Sequence, residues 1–295
     1  MTRRIIVGVD GSAPSIQALR WAAYEARRRN ADIFAISCYS IPVYGSPEGA
    51  VYPTPDDIDM FKSGAVAVVN HAAEIVKEID PKINVEAFTA MSPAAVAISD
   101  AARPGDEIVV GATGHTGLVD GLLGSVALSV VHRSHVPVIV VPANPAVDVG
   151  ASMKKIVVGV DGSPSSLQAL EWAYNEALVA DGELTAVHGW IYPYDGPRTS
   201  VNAPRTQMQL DAMEELKTSL ESLGVRLTGG VVHVHARLVE QSPAEALLAE
   251  SKDADLIVVG SRGRGAFRAA LLGSVSRTVV QHAASPVAVI RESAH

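Results

Sequence analysis

Asp255-Leu256-Ile257-Val258-Val259-Gly260-Ser261-Arg262-Gly263, with Gly273-Ser274 after a gap of nine residues, is an apolar run of buried-strand type that breaks into a glycine-rich loop and resumes as a helix over 275–284. A strand opening into such a loop at a helix N-terminus presents backbone N–H groups to an anion. The device occurs twice. Ile108-Val109-Val110 runs into Gly111-Ala112-Thr113-Gly114, and Gly124-Ser125 follows after the same nine-residue gap.

The duplication reaches from end to end. Ile5-Ile6-Val7-Gly8-Val9-Asp10-Gly11-Ser12 returns as Ile156-Val157-Val158-Gly159-Val160-Asp161-Gly162-Ser163. Gln17-Ala18-Leu19 and Trp21-Ala22 return as Gln168-Ala169-Leu170 and Trp172-Ala173, and Ser92-Pro93-Ala94 as Ser242-Pro243-Ala244, all at an offset within two residues of 150. Repeats of this kind define the architecture before any other signal does. Two domains are expected, 1–143 and 153–295, joined by a Pro/Gly/Ala-rich linker at 144–152.

Each half alternates Val/Ile-rich runs with helical patterns. In the first half strands are expected at 5–9, 33–39, 83–91, 108–110 and 136–141, with Ser12 capping the first helix and Ser92-Pro93 capping and opening the third. The second half repeats that order, with strands from Ile156 and Leu184, at 231–239, from Leu256 and at 287–290. Ser125 and Ser274 can cap the helix after each glycine loop or donate a hydroxyl to phosphate. Such alternation implies an α/β fold with a parallel sheet covered on both faces. Ligands of such sheets bind beyond the carboxyl ends of the strands, where both glycine loops and both Asp-Gly pairs lie.

Composition narrows the function classes. At 48% hydrophobic and 19% charged the chain folds rather than stays disordered. A net charge of −8 without a long basic run argues against a general nucleic-acid binder or a membrane-surface protein. The single cysteine, Cys38, excludes an intrachain disulfide framework. The apolar stretch after Met1-Thr2-Arg3-Arg4 is too short for a signal peptide or a membrane span, so a cytoplasmic location without membrane insertion is expected.

The G-x2-G-x9-G-S loop after strand four, with an aspartate ending strand one in a half of about 145 residues, resembles the universal stress protein family, in particular the tandem-domain members of mycobacteria and related actinobacteria. The resemblance implies, in each half, a five-stranded parallel sheet in order 3-2-1-4-5 of the adenine-nucleotide alpha-hydrolase-like type, with ATP in the crevice between strands one and four. Mg²⁺ would accompany the phosphates. Gly111, Gly114, Gly124 and Ser125 would hold phosphates and ribose in the first half, and Gly260, Gly263, Gly273 and Ser274 in the second. Gly8 with Asp10, and Gly159 with Asp161, fall where the family contacts adenine and ribose; Cys38 and Gly189 fall where it contacts adenine through the backbone. Thr113, His115 and Val126, with Ser261, Arg262, Arg264 and Val275, complete the two sets. Family members pair through their fifth strands, which implies an intrachain pseudo-dimer here and allows a further homodimer and unidentified protein partners.

Each of these residues has a plainer explanation. Phosphate reaches the main chain only where no Cβ intrudes, but the same glycines can simply make a tight turn. Asp10 and Asp161 can accept from ribose or only close an Asp-Gly turn. Arg262 and Arg264 are cationic forks for phosphate, with Thr113 and His115 at the matching positions of the first half, so of two sites the first is expected to be weaker or differently charged and the second the more readily occupied. His233-x-His235 has a spacing that can hold zinc, yet its equivalents Ile83 and Val85 suggest a packed sheet face. Cys38 reads as a small buried residue, and Trp21 and Trp172 as helix-core anchors. No P-loop, nucleophile elbow, zincin or Rossmann fingerprint occurs. A nucleotide-dependent regulator of stress response or growth, without dedicated catalytic machinery, is expected first. A slow ATPase or nucleotidyl-transfer enzyme, and a nucleotide-free dimeric interaction module, stay open.

Overall fold

Valine and isoleucine runs become parallel strands buried from both sides. The computed structural model describes residues 3–41, 44–46, 49–51, 53–114, 123–142, 152–192, 205–224, 232–264 and 272–292. The chain divides into two units, Met1–Ala151 and Ser152–His295. Apart from Ser152, the expected linker lies outside the described residues.

The first unit runs β1 (Arg4–Gly8), α1 (Ala13–Arg29), β2 (Asp32–Cys38), a small antiparallel hairpin of β3 (Tyr44–Ser46) and β4 (Gly49–Val51), α2 (Pro55–Ile79), β5 (Val85–Ala90), α3 (Ala94–Ala101), β6 (Glu107–Gly111), α4 (Ser125–Arg133) and β7 (Val138–Val141). The second runs β8 (Lys155–Gly159), α5 (Pro164–Ala180), β9 (Glu183–Gly189), α6 (Arg205–Ser222), β10 (His233–Val239), α7 (Pro243–Glu250), β11 (Leu256–Gly260), α8 (Ser274–His282) and β12 (Val287–Ile290).

The first unit's five parallel strands lie in the order β5-β2-β1-β6-β7. Those of the second lie in the order β10-β9-β8-β11-β12. Both are the order 3-2-1-4-5. The order reverses between β1 and β6, and between β8 and β11, so a crevice opens above each of those pairs. In the first unit α1 and α2 cover one face and α3 and α4 the other. Ile5-Ile6-Val7, Ile108-Val109-Val110 and Val138–Val141 are buried, as are Ile156-Val157-Val158, Leu256–Val259 and Val287–Ile290. Two-sided burial is why these strands read as continuous apolar runs rather than alternating ones.

Three details depart from expectation. His233 and His235 are exposed on the edge strand β10 rather than packed. Val234 pairs with Leu184 as Val85 pairs with Ile33, so the two histidines match Asn84 and Glu86, not Ile83 and Val85. Their shared face is a solvated sheet edge. Ser92 does not cap α3, whose first position follows Pro93 with no side-chain cap bond. Ser242 does cap α7, because Glu245 returns a bond to its backbone N–H, and the first half has Ala95 there. Ser125 and Ser274 do not cap α4 and α8 either. Gly124 and Gly273 hold the cap positions, which leaves each serine exposed in the first turn. Ser12 and Ser163 do cap α1 and α5. Trp21 is fully buried, whereas Trp172 is half-buried.

Candidate functional site

Above each strand crossover lies a cleft, and nearly every residue singled out from the sequence borders one of the two. Gly8, Asp10, Cys38, Gly111, Thr113, Gly114, Gly124, Ser125 and Val126 line a cleft of about 260 Å³ in the first unit. His115 lies outside the described residues. Gly159, Asp161, Gly189, Gly260, Arg262, Gly263, Arg264, Gly273, Ser274 and Val275 line one of about 460 Å³ in the second. Ser261 is the exception. It is fully buried, its hydroxyl has no partner among the described residues, and it contributes through its backbone, donating to Ile290 (2.7 Å) and accepting from Gly273 (2.8 Å).

The turn that ends β8 presents the acid. Asp161 Oδ1 accepts from the backbone N–H (3.0 Å) and hydroxyl (2.6 Å) of Ser163, and Oδ2 accepts from the backbone N–H of Arg264 (3.2 Å). Burial works to raise the Asp161 carboxyl, but hydrogen bonds from Ser163, Ser166 and the Arg264 backbone outweigh it and hold it below the ordinary carboxylate value. Asp161 is therefore an ionised acceptor at neutral pH. Asp10 is held alike, with Oδ1 accepting from Ser12 N–H (2.9 Å) and Oγ (2.5 Å).

The glycine loop lies directly on this carboxylate. A Cβ at Gly263 would stand 2.5 Å from Asp161 Oδ2, and one at Gly114 would stand 2.8 Å from Asp10 Oδ2. No larger residue can take either position without displacing the acid. Gly111 and Gly260 face the other way, against the backbone of Pro14 and Ser165 at 2.8 Å, so they also dock the first helix of each unit. The N-terminus of α8 follows the loop, with Ser274 at its first position and no acidic residue in its first turn. Its orphan N–H groups and dipole favour an anion there.

Opposite the polar wall the cleft is apolar. Val160, Val187, Leu247 and Val259 form it in the second unit, and Val9, Ile36, Ile98 and Val110 in the first. A flat hydrophobic group suits this slot, while an attached anionic group reaches the glycine loop. Cys38 borders the first slot with a half-buried thiol that burial pushes up, which makes it a poor nucleophile.

The arginines differ from each other. Arg262 lines the cleft, and its guanidinium has no hydrogen bond or ion pair among the described residues. Arg264, expected to be a free fork, is instead ion-paired with Glu215 of α6. Glu215 lines the cleft too and could not be found from the sequence, because α6 lacks the 150-residue offset of the other repeats. Buried Ala65, Val69 and Ala72 of α2 match Ala212, Leu216 and Ser219 of α6 at a constant difference of 147, which sets Glu215 opposite Val68.

Comparison with known proteins agrees with this architecture. The model of the universal stress protein family matches residues 1–142 and again 153–291. The chain is 35% identical over 297 residues to a universal stress protein of Mycolicibacterium smegmatis, covering 97% of this chain and 96% of that one. It is 34% identical over 297 residues to one of Mycobacterium tuberculosis, with 98% and 97% covered. Among solved structures, a universal stress protein from Archaeoglobus fulgidus is similar with a TM-score of 0.70 at 23% identity, covering 98% of this chain and 96% of that one. A Pseudomonas aeruginosa protein described as functionally unknown has a TM-score of 0.64 at 16% identity, covering 99% and 93%. These two likenesses concern the fold. No helix among the described residues is long and apolar enough to cross a membrane.

Proposed function

The chain belongs to the universal stress protein family as a tandem-domain member, and from that premise we propose that it binds ATP, foremost in the second unit, as a cytoplasmic regulator whose nucleotide state is read by protein partners. One observation carries the reading. A cleft with an apolar wall, an aspartate and a glycine loop at a helix N-terminus recurs in both halves. The apolar wall takes the adenine, Asp161 accepts from the ribose hydroxyls, and the loop with Ser274 and Arg262 takes the phosphates. The second cleft, at about 460 Å³, falls within the roughly 300–1,000 Å³ of small-ligand sites, and the first, at about 260 Å³, lies below it.

The carboxylates among the described lining residues of the second cleft are Asp161 and Glu215, and both are already engaged. Mg²⁺ would therefore be held by the phosphates and water rather than by a protein cage. Neither acid is placed to act as a free general base, which favours a binding protein over a hydrolase. Binding to the folded state stabilises it by linkage and biases whichever surface a partner reads.

The test is to release small molecules from freshly purified protein and quantify adenine nucleotide per chain. The proposal expects bound ATP that leaves with Gly263→Glu. Protein that carries none, and takes up none at millimolar ATP, would favour the interaction-module reading instead.

A further inference from the structure

Two arginines are among the described residues that line the second cleft, and one is already matched by an acid of the same wall. Arg264 Nη1 is paired with Glu215 Oε1, and the guanidinium lies across Gly162 at the Asp-Gly turn. The other oxygen of Glu215, Oε2, is 3.9 Å from Nε2 of the buried His188, whose Nδ1 is 2.8 Å from the carbonyl of Val160. Glu215 thus touches both the loop and the strand that frame the cleft. The pair also borders a neighbouring recess of about 350 Å³ walled by Asp211, Glu214 and Thr218, so acids back it on the far side. In the first unit Val68 takes the place of Glu215 and packs near Gly11.

We propose that Glu215 is a specificity-determining residue of the second site, setting how steeply affinity rises with the number of phosphates. The inference rests on the reading of the cleft as an ATP site. A phosphate that recruits Arg264 must take the guanidinium from Glu215 and leave that carboxylate unpaired on the cleft wall. The loss subtracts from the gain. The pair is half-exposed, at 53% and 36%, so the exchange is possible and its cost modest. A neutral nucleoside recruits no cation and is indifferent to Glu215. The wall therefore damps discrimination by charge, and Arg262 remains the unpaired cation among the described lining residues.

The experiment titrates adenosine, AMP, ADP and ATP by calorimetry at fixed ionic strength into the full chain carrying Gly114→Glu, which removes the first site. Glu215→Gln, Arg264→Gln and the double variant are compared, with Glu215→Ala as a second way to remove the charge. Glu215→Gln is expected to bind ATP roughly five- to ten-fold tighter, ADP and AMP progressively less so, and adenosine as before. The gain should vanish in the double variant, and Arg264→Gln alone should cost less than Arg262→Gln. Equal or weaker ATP binding by Glu215→Gln, or a gain that persists without Arg264, would overturn the inference and leave the ATP site standing. A parent that binds none of the four would overturn the ATP reading and this inference with it.

Discussion

The two clefts share a backbone plan and differ in what the side chains do with it. Both place an aspartate under a loop glycine at a strand crossover. In the second, strand β9 ends in Gly189, where a Cβ would meet Pro243 at 2.7 Å, so the start of α7 comes close. In the first, Cys38 stands at that position and borders a smaller cleft. The second carries Arg262, Arg264 and Glu215, where the first has Thr113, His115 and Val68. Duplication thus preserved the main-chain cradle while the charged wall diverged. On the proposed reading, the common part would recognise a class of ligand, and the divergent part would set affinity and selectivity.

The largest effects should come from breaking the shared plan. Gly263→Glu and Gly114→Glu each drive a side chain into an aspartate and add a charge beside it. Each should weaken ATP at its own site at least about 100-fold, roughly 2.7 kcal/mol, as read by calorimetry. Next, exchanging the strand-two residues should split the halves. Gly189→Cys crowds Pro243 and should lower stability by about 1–3 kcal/mol in chemical denaturation, as overpacking does, whereas Cys38→Gly should be milder and enlarge the first cleft. A smaller contrast lies at the α3 and α7 caps. Ser242→Ala should cost about 1 kcal/mol and Ser92→Ala little, because only Ser242 makes the cap bond.

The smallest effect is a pH dependence. Asp161 has a lowered carboxyl in the folded chain. Its contribution to stability is complete above the unfolded carboxyl value of about 3.9 and is lost as pH falls through the lower folded value. Asp161→Asn should flatten that part of the acid-unfolding curve. An unchanged curve would show that hydrogen bonding to the ionised form adds nothing at this turn.

Much of this was legible in the sequence because it is carried by local pattern. The repeated Val/Ile runs gave the strands, and the doubled G-x2-G-x9-G-S spacing placed both clefts. What was not legible depends on tertiary register. Glu215 meets Arg264 only after α6 is packed at its own offset. His233 and His235 looked like core until pairing with β9 set them on an exposed edge. Ser125 and Ser274 looked like caps, but the chain turns one residue earlier, at Gly124 and Gly273, because the glycine N–H must reach back to the carbonyl of Ala112 or Ser261. Ser261 shows the same limit, as a loop residue that faces inward.

Calorimetric titration of ATP into the intact chain, beside Gly114→Glu and Gly263→Glu, tests the central comparison most directly. Two unequal sites are expected, the tighter one lost with Gly263→Glu and the weaker one with Gly114→Glu. A tight site that survives Gly263→Glu, or disappears with Gly114→Glu, would contradict the assignment of the stronger site to the second unit.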